Sequence, residues 1–311
     1  MLEIQSISAV VPTKGCVNNC PFCVSRMHNN SYETKFDMIS YRKRLKYAAK
    51  NNVNTLIITG TGEALQNKWF LNQLWDALNK EGHPFPNVEL QTTGVMLMEC
   101  EKSIPGSTIR TDDRYPNVEL LKSLGVNTIS LSVSDVFDSL NNWNLIGAPK
   151  KFWYPLEDLC GFIKDSGFNL RLSLNMTNVY DKMYPEDILM RCKELGADQI
   201  TFRKLYGGGE DSPESIWVDE NACHETVFRR INEYIAGEKD VEFQTGYHHN
   251  GEGTPLYRLP FGPMVYSIDG MSTAIDDDCM SKDNLDSLKY VILRENGKLY
   301  CQWDDEGSLI F

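Results

Sequence analysis

No apolar run in this 311-residue sequence approaches the length of a membrane span, and the N-terminus lacks the basic and apolar regions of a signal peptide. Basic residues are also in short supply, with 31 Lys and Arg against 43 Asp and Glu, for a net charge of −12. A protein that follows a long nucleic-acid track needs a net basic surface. We therefore expect a cytoplasmic protein with no membrane partner, and the charge disfavours intact nucleic acid as a partner.

Cysteine pairs of the kind that build zinc ribbons or several iron–sulfur clusters are missing from most of the chain. The sequence has nine cysteines. In a reducing compartment they indicate thiols or metal ligands rather than disulfides. Three of them, Cys16, Cys20 and Cys23, lie within eight residues of each other. The other six are scattered, as Cys100, Cys160, Cys192, Cys223, Cys279 and Cys301.

Short β-rich runs alternate with amphipathic helical segments from residue 3 to about 246. This alternation predicts a parallel sheet with right-handed crossovers. Six or seven such units curl into a barrel whose chemistry collects at the C-terminal ends of the strands. We therefore predict an α/β fold with a partial (β/α)6 TIM-like barrel over residues 1–246. The predicted strands are Glu3–Pro12, Val53–Thr59, Val88–Thr92, Thr128–Val133, Asn169–Asn175, Gln199–Arg203 and Val241–Gln244.

The last part of the chain has a different texture, because Gly, Pro and Asp become dense after about Gly246 and the helical periodicity fades. Lys289–Trp303 is typical of a hairpin, in which Asn296 and Gly297 supply a tight turn. We predict a C-terminal β-rich extension over residues 247–311 that covers the barrel opening.

The cysteine cluster forms the string Gly15-Cys-Val-Asn-Asn-Cys-Pro-Phe-Cys23 directly after the first predicted strand. Three thiolates bind three irons of a cubane and leave the fourth iron able to take a small ligand. The alternative is a zinc site with His28 as a fourth ligand, in a non-catalytic barrel that binds a sugar or nucleotide. Zinc calls for a fourth Cys or His at a regular spacing, and no second cysteine pair follows. A third alternative is an ordinary TIM-barrel lyase with an incidental cysteine cluster.

The spacing C-x3-C-x-aromatic-C after the first strand of a (β/α) barrel resembles the radical S-adenosylmethionine (SAM) superfamily. The resemblance implies an enzyme with a [4Fe–4S] cluster held by Cys16, Cys20 and Cys23. It also implies that SAM binds the fourth iron and is cleaved reductively to a 5′-deoxyadenosyl radical, which abstracts hydrogen from a substrate. The barrel resembles the branch that contains the GTP cyclase of molybdenum-cofactor synthesis. Because the C-terminal region has no cysteine pair, we expect a single cluster.

Further site residues follow from the resemblance. The segment Gly60-Thr-Gly-Glu63 is similar to the family's G-G-E motif, with Thr61 in place of a glycine, so Gly62 would admit the ligand and Glu63 would accept a hydrogen bond from the SAM ammonium. Thr93 falls in an element comparable to T-N-G near the adenosine. Polar residues of later strands would contact the SAM carboxylate, its ribose or the substrate. These are Ser130, Ser132, Arg171, Ser173, Asn175 and Arg203.

Two scattered thiols and one helix complete the candidates. Cys279 or Cys301 would donate a hydrogen atom to a product radical, the alternative being small buried residues. The basic helix Tyr41–Lys50 is a solvated face, a docking site for an electron donor of the flavodoxin or ferredoxin type, or a nucleic-acid contact. The substrate is expected to be a small molecule, a nucleotide or a short peptide.

Overall fold

We describe a computed structural model of the chain, which covers residues 3–27, 36–99, 115–208, 211–237, 241–242, 248–249, 253–259, 263–276, 287–303 and 308–310. In this part of the chain, strands and helices alternate as the sequence predicts. The first six strands are β1 Glu3–Val11, β2 Thr55–Gly60, β3 Asn87–Thr92, β4 Thr128–Val133, β5 Asn169–Asn175 and β6 Gln199–Arg203. No helix among these residues is both long and apolar enough to span a bilayer.

The helices begin and end where local side chains favour it. Asp37 accepts a hydrogen bond from the backbone N–H of Ser40 at the start of α2, and Asn67 does the same for Phe70 in α3. Gly167 follows α6 with φ +85°, a conformation that ends the helix and turns the chain into β5. The helices are α1 Val24–Met27, α2 Met38–Lys50, α3 Lys68–Lys80, α4 Pro116–Ser123, α5 Ser139–Ile146, α6 Leu156–Asp165, α7 Pro185–Glu194, α8 Pro213–Asn221 and α9 Glu225–Ile235.

The two faces of the sheet have opposite chemistry. Residues that point outwards from the strands are apolar and fully buried, as Leu56 and Ile58 of β2 and Leu170 and Leu172 of β5 show. They form the main core together with the helices that pack over the sheet. The inward positions are mostly small and polar, whereas the interior of a closed TIM barrel is usually filled with bulky branched side chains. This choice of residues leaves room inside the barrel.

The C-terminal extension joins the same sheet instead of forming a separate layer. The strands that join it are β9 Thr254–Arg258, β10 Met264–Ile268, β11 Met271–Asp276, β12 Ser287–Leu293 and β13 Leu299–Tyr300. The short strands β7 Val241–Glu242 and β8 His248–His249 form a separate two-stranded sheet. Strand β12 pairs in parallel with β1, and β11 pairs in parallel with β6. The order over the described residues is β13-β12-β1-β2-β3-β4-β5-β6-β11-β10-β9. The barrel is therefore open, and both of its edges carry strands of the extension.

The predicted partial barrel of six β/α units is confirmed, and so is the C-terminal hairpin, in which β12 and β13 are antiparallel. The prediction that Val241–Gln244 is a barrel strand is wrong. Of this segment the structure describes the strand Val241–Glu242, which pairs with β8 in a separate two-stranded sheet and not with the barrel. The place beside β6 is taken by β11, which offers a five-residue parallel register from Ser272 to Asp276. Residue 246 as a domain boundary stays a prediction.

A chain that ends at residue 246 should aggregate, because it lacks both β11 and β12. Removing them leaves β1 and β6 as long unpaired edges, which invite pairing with other copies. Size-exclusion chromatography of residues 1–246 beside the full chain measures this. A monodisperse, folded 1–246 fragment would show that the barrel is an independent unit.

Candidate functional site

The inward-facing residues enclose a cavity of about 710 Å³ inside the barrel. Its wall at the C-terminal ends of the strands is formed by the loop after β1, including Cys16, Cys20 and Cys23. Pockets of this volume are ordinary for small-molecule and cofactor sites. The three thiols that the sequence singles out thus share one cavity.

Hydrogen bonds to two other parts of the chain, and one within the loop itself, hold the cysteine loop in place. The backbone N–H of Val17 donates to Gln66 Oε1 at 2.8 Å, in the segment after β2. The Cys20 thiol donates to the carbonyl oxygen of Ile146 at 3.3 Å, at the end of α5. The backbone N–H of Asn18 lies 3.4 Å from Cys16 Sγ. The loop is therefore preorganised by its neighbours.

The thiols are electrostatically adapted to bind a cation. Burial raises the pKa of Cys20 to about 12, and the neighbouring Cys23 and Cys16 contribute to that increase. Burial also raises the pKa of Cys16, although this residue is exposed on its outer side. Closely placed thiolates repel each other unless positive charge lies between them, so iron bound there would relieve the repulsion.

The donor set fits a cluster better than a single ion. Within the described residues, no three His, Cys, Asp or Glu side chains converge closely enough to hold one metal ion. Three thiols from one loop, without a fourth protein ligand beside them among the described residues, suit a multi-iron group that keeps one iron open. His28, the fourth ligand of the zinc alternative, lies outside the described residues.

The segment after β2 packs directly against the cysteine loop. Thr61 Oγ1 accepts from the backbone N–H of Thr13 at 3.4 Å and lies 3.3 Å from the Thr13 hydroxyl oxygen. A Cβ atom at Gly62 would stand 2.5 Å from Thr13 Oγ1 and 2.8 Å from the carbonyl oxygen of Gly15. Only glycine permits this approach, and Thr61 uses its hydroxyl to tie the two loops together.

Glu63 is buried, with 3% of its surface exposed, and both carboxylate oxygens are engaged by the end of β3. Oε1 accepts from the Thr92 hydroxyl at 2.7 Å, and Oε2 accepts from the Thr93 backbone N–H at 3.2 Å and from its hydroxyl at 3.0 Å. Burial raises the pKa of the Glu63 carboxyl group. The role predicted for it towards SAM stays a prediction, while the structure shows that Glu63 joins two strand ends.

The predicted polar residues of β4, β5 and β6 all line the cavity, but at two levels. Asn175 and Arg203 are register partners at the C-terminal ends of their strands, near the cysteines. Arg171 pairs with Gln199 at the opposite end. Ser130 lies beside Arg171, and Ser132 and Ser173 lie between the two levels. All three have small side chains that keep the cavity continuous.

The floor of the cavity contains a charged side chain that sequence reasoning missed, that of Glu89. Arg171 forms an ion pair with Glu89 of β3 through Nη1, and its Nε donates to Gln199 Oε1 at 2.7 Å. Gln91 Nε2 lies 3.4 Å from Glu89 Oε1. Alternation along β3 places Glu89 and Gln91 on one face, so the sequence could have indicated two inward polar side chains there. The ion pair of Glu89 with Arg171 depends on the order of the strands in the sheet, which the sequence does not indicate.

Of the two candidate hydrogen-atom donors, the structure describes Cys301. Cys301 packs against the core, and its thiol donates to the carbonyl oxygen of Ser308 at 3.4 Å, whereas Tyr290 and Trp303 of the same hairpin line the cavity. Cys279 lies outside the described residues. Its role and that of Cys301 as hydrogen-atom donors stay predictions.

Part of the basic helix Tyr41–Lys50 is engaged within the protein. Arg42 Nη2 lies 2.7 Å from Glu81 Oε1, and Lys46 Nζ lies 3.6 Å from Glu81 Oε2. These contacts reduce the positive charge that the helix presents. Docking of an electron donor on this helix stays a prediction.

Comparison with known proteins identifies the family. The model of the radical SAM superfamily matches residues 10–181, which is more than half of the chain and includes all three clustered cysteines. The chain therefore belongs to the radical SAM superfamily, whose enzymes use SAM and a [4Fe–4S] cluster. No curated protein sequence matches it.

Solved structures show the same fold. The crystal structure of SuiB from Streptococcus suis superimposes with a TM-score of 0.56 at 16% identity, covering 96% of this chain and 60% of SuiB. SuiB bound to S-adenosylmethionine gives 0.52 at 15% identity, covering 96% of this chain and 58% of SuiB. The chain thus spans about 60% of the length of SuiB, and at this identity the likeness concerns the fold alone.

Gly62→Ala should destabilise the protein by about 1–3 kcal/mol, because the added methyl group overpacks the contact with the cysteine loop. Gly161→Ala is the matched control, since no atom lies within 4 Å of its Cβ position on α6. Replacing that helical glycine should stabilise the protein by up to about 1 kcal/mol. Urea unfolding measures both changes. Equal effects would contradict the close packing at Gly62.

Arg171→Met should destabilise the protein by about 3 kcal/mol, because it leaves the buried Glu89 carboxylate without its partner. Adding Glu89→Gln should recover part of that loss, since the remaining side chain is neutral. The free energies of unfolding of both single variants and the double variant complete the cycle. A double variant as unstable as the sum of the single variants would show that the two side chains act independently.

Proposed function

We propose that this chain is a single-cluster radical SAM enzyme that abstracts hydrogen from an organic substrate bound in the barrel. The observation that supports the proposal most strongly is the position of three thiols from one loop at the end of a polar cavity. In this role the cluster supplies an electron that cleaves SAM into methionine and a 5′-deoxyadenosyl radical. The remaining tasks of the protein are to bind and orient SAM and the substrate and to exclude water.

In this proposal, Cys16, Cys20 and Cys23 hold the cluster. Gly62 lets the segment after β2 approach the cysteine loop closely. Glu63 keeps the ends of β2 and β3 together beside that loop. Thr61, Thr93, Ser130, Ser132, Ser173, Asn175 and Arg203 are the proposed SAM contacts. The walls of the barrel shield this region from bulk water, which protects a reactive species from side reactions.

The substrate is proposed to be a small molecule, a nucleotide or a short peptide that enters between the strands of the extension. Tyr257 of β9 and Trp303 after β13 both border the cavity, and the two strands are the opposite edges of the open sheet. Arg171 is better placed for the substrate than for SAM, because it lies at the floor. Glu89 neutralises its charge there, which favours a neutral polar group over a phosphate at that position.

Three further proposals depend on the same function. The C-terminal extension, residues 247–311, covers the barrel opening. A reduced protein of the flavodoxin or ferredoxin type supplies the electron. The setting is cytoplasmic, in keeping with the seven described cysteines, all of which are free thiols.

Anaerobically reconstituted protein should bind about four irons per chain and absorb near 400 nm. With dithionite and SAM it should form 5′-deoxyadenosine. The variant with Cys16, Cys20 and Cys23 all changed to Ala should lose both the iron and the product, because it lacks the thiolate ligands. Iron analysis and chromatography of the products measure this.

Cys223→Ala is the control, since this thiol lies outside the cavity wall among the described residues and should leave both readouts unchanged. A colourless protein with one zinc per chain would favour the binding-protein alternative. Substrate turnover that survives the triple change, without formation of 5′-deoxyadenosine, would favour a lyase without a cluster.

A further inference from the structure

Asn18 occupies an unusual position inside the cysteine loop, between Cys16 and Cys20. It lines the cavity, yet only 7% of its surface is exposed. Its Nδ2 donates to Thr93 Oγ1 at 2.8 Å, while its Oδ1 is buried and has no hydrogen-bond partner within the described residues. The side chain therefore links the loop to the end of β3 with only half of its amide satisfied.

The orientation of the amide follows from its neighbours. The Thr93 hydroxyl has one proton, which it donates to Glu63 Oε2. The Thr93 oxygen is then available only as an acceptor, so Asn18 must present its NH₂ group to it. Turning the amide around would place two acceptors against each other. The unsatisfied group of Asn18 is thus the oxygen.

Stability alone does not account for an asparagine at this position. One hydrogen bond contributes about 0.5–1.5 kcal/mol net, whereas a buried acceptor without a partner costs about 1–3 kcal/mol. An apolar side chain of similar shape would avoid that cost. We therefore looked for an effect of the contact with Thr93 on the geometry of the cysteine loop.

The anchored residue places its own backbone N–H 3.4 Å from Cys16 Sγ. Hydrogen bonds to ligand sulfurs withdraw electron density and make an iron–sulfur cluster easier to reduce. We infer that Asn18 is a positioning residue that tunes the cluster. Its side chain, held by Thr93, keeps its N–H against the Cys16 sulfur and so raises the reduction potential. This inference rests on the proposed cluster.

Asn18→Leu tests the inference in full-length, anaerobically reconstituted protein. At a fixed applied potential near the wild-type midpoint, the ratio of reduced to oxidised cluster should fall roughly ten-fold, equivalent to 59 mV for a one-electron couple. Electron paramagnetic resonance of the reduced cluster measures the ratio, and iron analysis confirms loading. Asn19→Leu is the matched control. The Asn19 side chain also anchors the loop, by accepting from Arg26, but its backbone N–H donates to the carbonyl oxygen of Ile146 and not to a sulfur, so this variant should stay within two-fold of wild type.

Thr93→Val removes the acceptor of the Asn18 amide and should lower the ratio in the same direction. Because both changes break one linkage, adding Asn18→Leu to Thr93→Val should produce no further fall. This double variant separates the linkage from other effects of Thr93, which also contacts Glu63.

An Asn18→Leu ratio within two-fold of wild type overturns the inference, as does an equal fall in Asn19→Leu or additive effects in the double variant. If the Asn18→Leu protein binds no iron, the Thr93→Val variant tests the inference in its place. A lowered ratio with normal iron supports the inference, and an unchanged ratio or lost iron overturns it. Wild-type protein without a cluster would instead refute the proposed function, before any variant is compared.

Discussion

The buried carboxylate of Glu63 is the interaction on which the site depends. It accepts hydrogen bonds from Thr92 and Thr93 and thereby joins the segment after β2 to the end of β3. The same Thr93 receives the amide of Asn18, so the cysteine loop is tied to both strands. A buried anion costs several kcal/mol unless it is hydrogen-bonded, and three donors offset that cost here. Three consecutive βα loops are thus held in one arrangement before any ligand arrives.

A second constraint is the choice of side chains inside the barrel. Small hydroxyl-bearing residues replace the branched apolar residues that would fill a closed barrel, so the cavity extends from the cysteine loop to Arg171 and Glu89. The main core lies on the outer face, between sheet and helices. Most apolar burial and the cavity are therefore on opposite faces of the same strands, while the inward ion pair of Arg171 and Glu89 also contributes to stability.

Much of this was predictable from local patterns. Alternation of strands and helices gives the six β/α units, and Asn296-Gly297 marks the hairpin. The position of β11 and β12 was not predictable, because parallel pairing between distant segments leaves no local signal. For the same reason the sequence points to Arg171 as a polar inward residue but not to its partner Glu89. Asn18 was overlooked because its importance comes from its contact with Thr93, 75 residues away.

The pairing of β12 with β1 has a consequence for how the protein is made. During synthesis, β1 and the thiols after it emerge well before β12, one of the two strands that pair with β1, which lies more than 270 residues further along the chain. Contacts of such long range form slowly, since the loop between them must first be closed. The nascent chain therefore passes through a period in which its reactive sulfurs stand beside an incomplete sheet, exposed to oxidants and to stray metals. The yield of functional protein then depends on whether the cluster is delivered before or after β12 has paired with β1.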